Sequence, residues 1–273
     1  MFRECFDRVR NQAPLIHNIT NAVTINDVAN MVLACGASPI MADEAAEVEE
    51  ITSICSGLNI NIGKLSRHMI PAMLLAGKKA CELGHAVLLD PVGVGASRLR
   101  LETADFLMEE IHFSAIRGNI SEIKTLIHGS GHSRGVDAAA ADALAGKDVE
   151  AMAAVLKNFA RETGCIIAAT GNVDLVCDSR TCYVIHNGRP EMEKVTGTGC
   201  QLSGLMTAFL AANPGHHLEA AAASVAAMGL AGEIGWSHMQ PGDGSAAYRG
   251  RIIDAIYNMD GTLLEQGARF EIC

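Results

Sequence analysis

Val195-Thr196-Gly197-Thr198-Gly199-Cys200 runs directly into the apolar stretch QLSGLMTAFLAA. Two glycines this close allow a tight turn whose backbone N–H groups point into one space, and a helix starting there adds its positive end. That design holds a phosphate, or the charge on a phosphoryl group in transfer. No Gly-Lys-Ser/Thr follows, so this is not a Walker A loop. The segment also reads as a plain glycine-rich helix start with Thr198 as N-cap. Cys200 falls in the first helical turn, where the helix end is expected to lower a thiol pKa. It is then a thiolate or weak base facing substrate, or else a small buried hydrophobe.

Other polar residues gather behind strand-like runs. Thr20-Asn21 follow Leu15–Ile19, Ala42-Asp43-Glu44 follow Ser38–Met41, and Gly63 follows Leu58–Ile62. Asp90 follows Ala86–Leu89, Arg117 to Glu122 follow Ser114–Ile116, and Thr170-Gly171-Asn172 follow Ile166–Ala169. In an open parallel sheet, ligands bind beyond the carboxyl ends of the strands. Six loops meeting at one edge therefore predict a site, although each alone is also ordinary turn chemistry. Asp90 and Glu122 suit Mg2+, which takes few protein oxygens and keeps waters. They read equally as a turn former before Pro91 and a helix-start charge or capping residue. Arg117 suits phosphate, or a structural ion pair at a strand end. The ten histidines form no metal-ligand pattern.

The elements that would position these residues alternate along the whole chain. Strands are predicted at Leu15–Ile19, Ser38–Met41, Leu58–Ile62, Ala86–Asp90, Ser114–Arg117 and Ile166–Thr170. AVLLD and CIIAAT are continuous apolar runs, as in strands buried on both faces of a parallel sheet. Helices are predicted at Asn26–Cys35, Glu44–Ser56, His68–Leu83, Leu101–Glu110, Val149–Glu162, Cys200–Ala211, Leu218–Ile234 and Ala246–Asn258. Gly36, Gly57, Gly84 and Gly164 close many of them, as left-handed caps do. NVDLVCDSRTCYVIHNG reads as a hairpin of Asp174–Cys177 and Cys182–His186, so the sheet should end in antiparallel strands. The expectation is one α/β domain over residues 1–273.

Composition narrows the classes. The 273 residues carry 21 − 31 = −10 formal charges, which argues against a general nucleic-acid footprint. With 49% hydrophobic residues, disorder is excluded. No uninterrupted apolar run reaches the roughly 18 residues of a membrane span. MFRECFDRVR puts charges where a signal peptide is apolar, so a cytoplasmic protein is expected. Nine cysteines without a C-x-x-C pair predict reduced thiols and no disulfide framework. The small-residue stretch Ala220–Ala227 suits a subunit contact or close packing within one subunit.

The set HNITN, DPVGVGA, RGNISE and GTGC resembles the hydroxyethylthiazole kinase family of the ribokinase-like superfamily. Matching segments run from Pro14–Asp27 through Gly36–Glu50, Leu58–Leu65, Asp90–Ser97, Ile116–Ile123 and Ala169–Asp174 to Val195–Gly204. The resemblance implies a ribokinase-like three-layer sandwich, with helices on both faces of a mostly parallel sheet. It implies ATP-dependent phosphorylation of 4-methyl-5-(2-hydroxyethyl)thiazole in thiamin salvage, with Mg2+ required. It implies a homotrimer whose thiazole pocket forms between subunits, with no nucleic-acid or membrane partner. Met41, Asn21, Gly63 and Gly197 match substrate-binding positions, and Arg117 and Thr170 match ATP-binding ones. Asp90 and Glu122 match acidic residues near the metal. Cys200 stands where most ribokinase-like kinases have an aspartate base, beside the turn Gly197, Thr198 and Gly199. Residues 130–145 and 240–250 receive no roles. Two other readings stand beside this one. One is a pyrimidine or pyridoxal alcohol kinase, or an ATP-dependent dehydratase, on the same fold; Cys200 and HNITN argue against it. The other is an inactive binding trimer, against which the intact glycine turn and acidic pair argue.

Overall fold

The computed structural model describes residues 1–129 and 149–273; the segment 130–145, to which the resemblance assigns no role, lies outside them. One sheet contains β1 (Leu15–Ile19), β2 (Ser38–Met41), β3 (Gly57–Asn61), β4 (Ala86–Asp90) and β5 (Ala115–Asn119). It continues with β6 (Ile166–Thr170), β7 (Asp174–Cys177), β8 (Cys182–Ile185) and β9 (Phe270–Ile272). Their spatial order is β2-β1-β3-β4-β5-β6-β7-β8-β9. All pairings from β2 to β6 are parallel; β6–β7, β7–β8 and β8–β9 are antiparallel. The mostly parallel α/β architecture and the late hairpin are thus as expected.

Two apolar layers form because strand side chains alternate between faces. Leu88, Ala115, Ala168 and Tyr183 point to one core, shared with the helices Phe2–Gln12, Ile25–Ala34, Thr198–Ala212 and His217–Ser237. Val87, Leu89, Ile116 and Ile167 point to the other, beneath the helices Met69–Leu83, Arg98–Glu110, Ile120–Gly129 and Val149–Thr163. His217–Ser237 is long and apolar enough by composition to cross a membrane, yet most of it lies inside the first core. Ala220–Ala227 is buried there, so this stretch serves packing within the chain and not a subunit contact.

Several elements differ from the sequence expectation. The charged start folds as the helix Phe2–Gln12, whose Phe2, Cys5, Phe6 and Val9 are buried at helical spacing. Ile120–Gly129 is also helical, held at its start by a reciprocal pair: Glu122 N–H donates to Asn119 Oδ1 and Asn119 N–H to Glu122 Oε2, both 2.8 Å. Gly261–Gly267 and β9 were not foreseen. The predicted helix Glu44–Ser56 shrinks to Val48–Ile54. The expectation of reduced cysteines also needs correction. The hairpin register sets Cys177 opposite Cys182, and the two are joined as a disulfide. Their separation fits no C-x-x-C spacing, so only the register reveals the pair.

Helix packing against the antiparallel end is close at Gly229. A Cβ there would stand 2.6 Å from the Asn187 carbonyl carbon, whereas a Cβ at Gly250 would meet nothing within 4 Å. Gly229→Ala should therefore lose about 1–3 kcal/mol by overpacking. Gly250→Ala, in an open helix position, should gain about 0.5–1 kcal/mol. Urea unfolding midpoints of the two variants check both signs.

Candidate active site

Chain order reverses at β1. The β1–β2 connection carries the helix Ile25–Ala34 on the first face, and β3 returns to the other side of β1. Ligand crevices of open sheets lie at such a switch point. Asn21 follows β1 and Asn61 ends β3, so the two amides face each other there, 3.1 Å apart from Asn21 Nδ2 to Asn61 Oδ1. Helix Thr198–Ala212 begins above them and presents Cys200. Asn21 Nδ2 and Asn61 Nδ2 each lie 3.3 Å from Cys200 Sγ.

The glycine turn takes a form that only glycine tolerates well. Gly197 is the N-cap, with φ 83° in the left-handed region, and Thr198 is the first helical residue rather than the cap. A Cβ on Gly197 would strike the Thr24 side chain, and one on Gly199 would reach the Arg117 guanidinium. Backbone and cation can thus approach one another only because both residues lack side chains.

Asp90 lies fully buried under this turn. Its Oδ2 accepts from Asn61 Nδ2 at 2.7 Å and Ser203 Oγ at 2.8 Å. Arg117 Nη1 stands 3.9 Å from Oδ1, which has no hydrogen-bond partner. Burial pushes the Asp90 carboxyl up to about 6, against the pull of Arg117 and Ser203. Arg117 Nη2 donates to Thr170 Oγ1 at 2.7 Å. The Cys200 thiol is also raised, first by burial and then by the Asp90 charge, while hydrogen bonds from Thr24, Asn21 and Asn61 oppose the rise. The expected lowering by the helix end is therefore not observed; desolvation is the larger effect.

A cavity of about 840 Å3 opens beside the turn. Gly197, Thr198, Gly199, Cys200, Arg117, Thr170 and Glu122 all line it. Glu122 also anchors the loop after β4, since Gly93 N–H donates to its Oε1 at 2.8 Å. Asn21, Gly63 and Asp90 stand behind the wall. Gly63 is tied to the site by its N–H to Asn61 Oδ1 at 2.9 Å and by Arg100 Nη2 donating to its carbonyl at 2.6 Å. Met41 is not brought together with the others: it lies half-buried on edge strand β2, in register with Asn18.

Sequence reasoning missed Asn61, Ser203 and Arg100, and the far wall of the cavity. That wall includes Asp174, Arg189, Met192 and Met228. Asn61 and Asp174 could have been suspected as polar residues at strand ends. Met192 and Met228 carry no local signal and reach the cavity only through tertiary packing.

The fold, with a polyanion-sized cavity lined by the glycine turn at a helix start and by the buried Arg117, is that of the ribokinase-like kinases. Pyridoxal kinase from Staphylococcus aureus in complex with ADP shares the fold, with a TM-score of 0.61 at 15% identity, over 95% of this chain and 98% of that one. The particular family follows from closer comparisons. Residues 6–261 match the hydroxyethylthiazole kinase family. A hydroxyethylthiazole kinase of Clostridium acetobutylicum is 52% identical over 271 residues, 99% of each chain. The structure of the hydroxyethylthiazole kinase protein from Pyrococcus horikoshii OT3 superposes with a TM-score of 0.88 at 31% identity, covering 100% of this chain and 98% of that one. The chain belongs to the hydroxyethylthiazole kinase family, and it is a kinase.

The raised Asp90 carboxyl gives the protein a signed pH dependence. Its folded pKa of about 6 exceeds the ordinary 3.8, so the folded state binds the extra proton. The stability this contributes is complete below about 3.8 and lost as pH rises through about 6. Asp90→Asn keeps an oxygen for Ser203 and removes the titration. Its urea midpoint should gain on wild type from about pH 4 to about pH 7, while its turnover falls. A constant gap across that range would contradict the assignment.

Proposed function

We propose that this chain transfers the γ-phosphoryl group of ATP to the primary alcohol of 4-methyl-5-(2-hydroxyethyl)thiazole, the salvage step toward thiamin. The observation that carries this reading is the 52% identity over nearly the whole chain to a protein named for that kinase activity. The site chemistry agrees with it. Phosphoryl transfer passes through a loose transition state, so positioning and charge stabilisation dominate and a strong base matters little.

The residues divide the work as follows. N–H groups of the turn Gly197, Thr198 and Gly199 face the moving phosphoryl group at the positive end of their helix. Arg117, held by Thr170 and Asp90, offers its charge to the ATP phosphates. Cys200 orients the acceptor hydroxyl and assists weakly as a base. Asn21, Gly63 and Met41 form the thiazole side. The acidic residues also fit the Mg2+ that such kinases use. Asp90 Oδ1 is a buried carboxylate oxygen without a hydrogen-bond partner, 3.9 Å from Arg117, and Glu122 lies on the cavity wall with each oxygen already accepting one backbone N–H. Asp90 and Glu122 would hold the ion, which neutralises phosphate charge when bound.

A homotrimer with the thiazole pocket at the subunit boundary suits Met41's place on edge strand β2. Exposed apolar side chains on neighbouring elements support it: Val23, Leu33 and Ile54 are 72%, 54% and 65% exposed. Residues 1–273 form a single kinase domain in this reading, supported by one continuous sheet.

Turnover of ATP with hydroxyethylthiazole, against pyridoxal and a hydroxymethylpyrimidine, tests the assignment directly; preference for either competitor would refute it. Arg117→Ala should raise the KM for ATP at least tenfold and leave the thiazole KM within about threefold. Cys200→Ala should retain measurable turnover, and Cys200→Asp should exceed Cys200→Ala. Normal thiazole binding with no turnover at all in Cys200→Ala would rule out weak assistance.

A further inference from the structure

Asn61 is fully buried on β3, stands outside the lining of the 840 Å3 cavity and has no role in the reading above. Its orientation is nevertheless fixed by chemistry. Gly63 N–H lies 2.9 Å from Asn61 Oδ1, and a backbone N–H can only donate. The oxygen end of the amide is therefore at Gly63, and the NH2 end must face the opposite way. There Asn61 Nδ2 meets two acceptors at once, Asp90 Oδ2 at 2.7 Å and Cys200 Sγ at 3.3 Å. Asn21 is locked by the same logic. Val23 N–H donates to Asn21 Oδ1 at 3.1 Å, which turns Asn21 Nδ2 toward the same sulfur.

Two amide NH2 groups thus converge on Cys200 Sγ, each braced from behind by a backbone donor. They come from β1 and β3, the strands that flank the switch point, while the cysteine comes from the helix that caps it. We propose that Asn61 is a positioning residue for phosphoryl transfer. It holds the Cys200 sulfur as a hydrogen-bond acceptor at the start of helix Thr198–Ala212, and it links that sulfur to the Asp90 carboxylate through one NH2 group. Asn61 touches no reacting atom; it acts through Cys200. This rests on the assignment of Cys200 to the acceptor hydroxyl. Small displacements at a reacting centre cost rate far more than binding, so the effect should appear in kcat.

A double-mutant cycle on the full chain tests it, with ATP and hydroxyethylthiazole as substrates. Asn61→Ala should lower kcat by up to the factor that Cys200→Ala costs, and by less than about twofold in the Cys200→Ala background. The KM for ATP should stay within twofold in both. Equal losses of kcat in the two backgrounds would mean a merely structural role and overturn the inference alone. No turnover of the thiazole by the wild-type chain would overturn the functional reading, and the inference with it. If Asn61→Ala does not fold, Asn61→Leu carries the same cycle, because it keeps the shape of the side chain, removes the NH2 group and puts no charge beside Asp90.

Discussion

A carboxylate with no exposed surface dictates the arrangement around it. Asp90 sits at the end of β4, in the middle of the sheet, where an uncompensated charge would be very costly. Compensation comes from three directions: Asn61 on β3, Ser203 on the covering helix and Arg117 on β5. Each of those partners is then committed to a place. Ser203 fixes the rotation of its helix, and with it Cys200, three residues earlier. Arg117 is drawn inward until its guanidinium lies against the glycine turn. Compensation is incomplete, since one Asp90 oxygen keeps no hydrogen bond. The carboxyl's raised pKa is the measure of that shortfall.

The missing side chains at Gly197 and Gly199 follow from the same crowding. A cation, a helix start and the Thr24 side chain occupy one small volume. Glycine there is a requirement of close approach as much as of turn conformation. Glu122 solves a neighbouring problem by satisfying two loops, one at Asn119 and one at Gly93. Glu122 thus lines the cavity while holding two loops, which fixes that stretch of wall.

Much of this was legible in the residues themselves. The parallel strands were readable from unbroken apolar runs, because burial on both faces removes alternation. The hairpin showed through its polar turn, and the site edge through the polar residues that follow each strand. What stayed hidden depended on register and burial. Asn61 looks like any strand residue until β1 lies beside β3. The Cys177–Cys182 pair exists only because two strands turn back on each other. The helix end alone predicts a lowered Cys200 pKa, and desolvation reverses the sign. The opening helix is obscured by the charges interleaved with its four apolar positions, Phe2, Cys5, Phe6 and Val9.

The connectivity has a temporal consequence. Asn21, Asn61 and Asp90 leave the ribosome long before Thr198–Ala212, the helix that closes over them. Domains are synthesised from the amino end and begin to organise as they emerge. While the 198 − 90 = 108 residues from Asp90 to Thr198 are added, the carboxyl ends of β1, β3 and β4 must remain hydrated, because their polar side chains have no lid. Nascent sheet can assemble on its other face, beneath Met69–Leu83 and Arg98–Glu110, while this face waits. The reactive end of the enzyme therefore dries only once Thr198–Ala212 has closed over it.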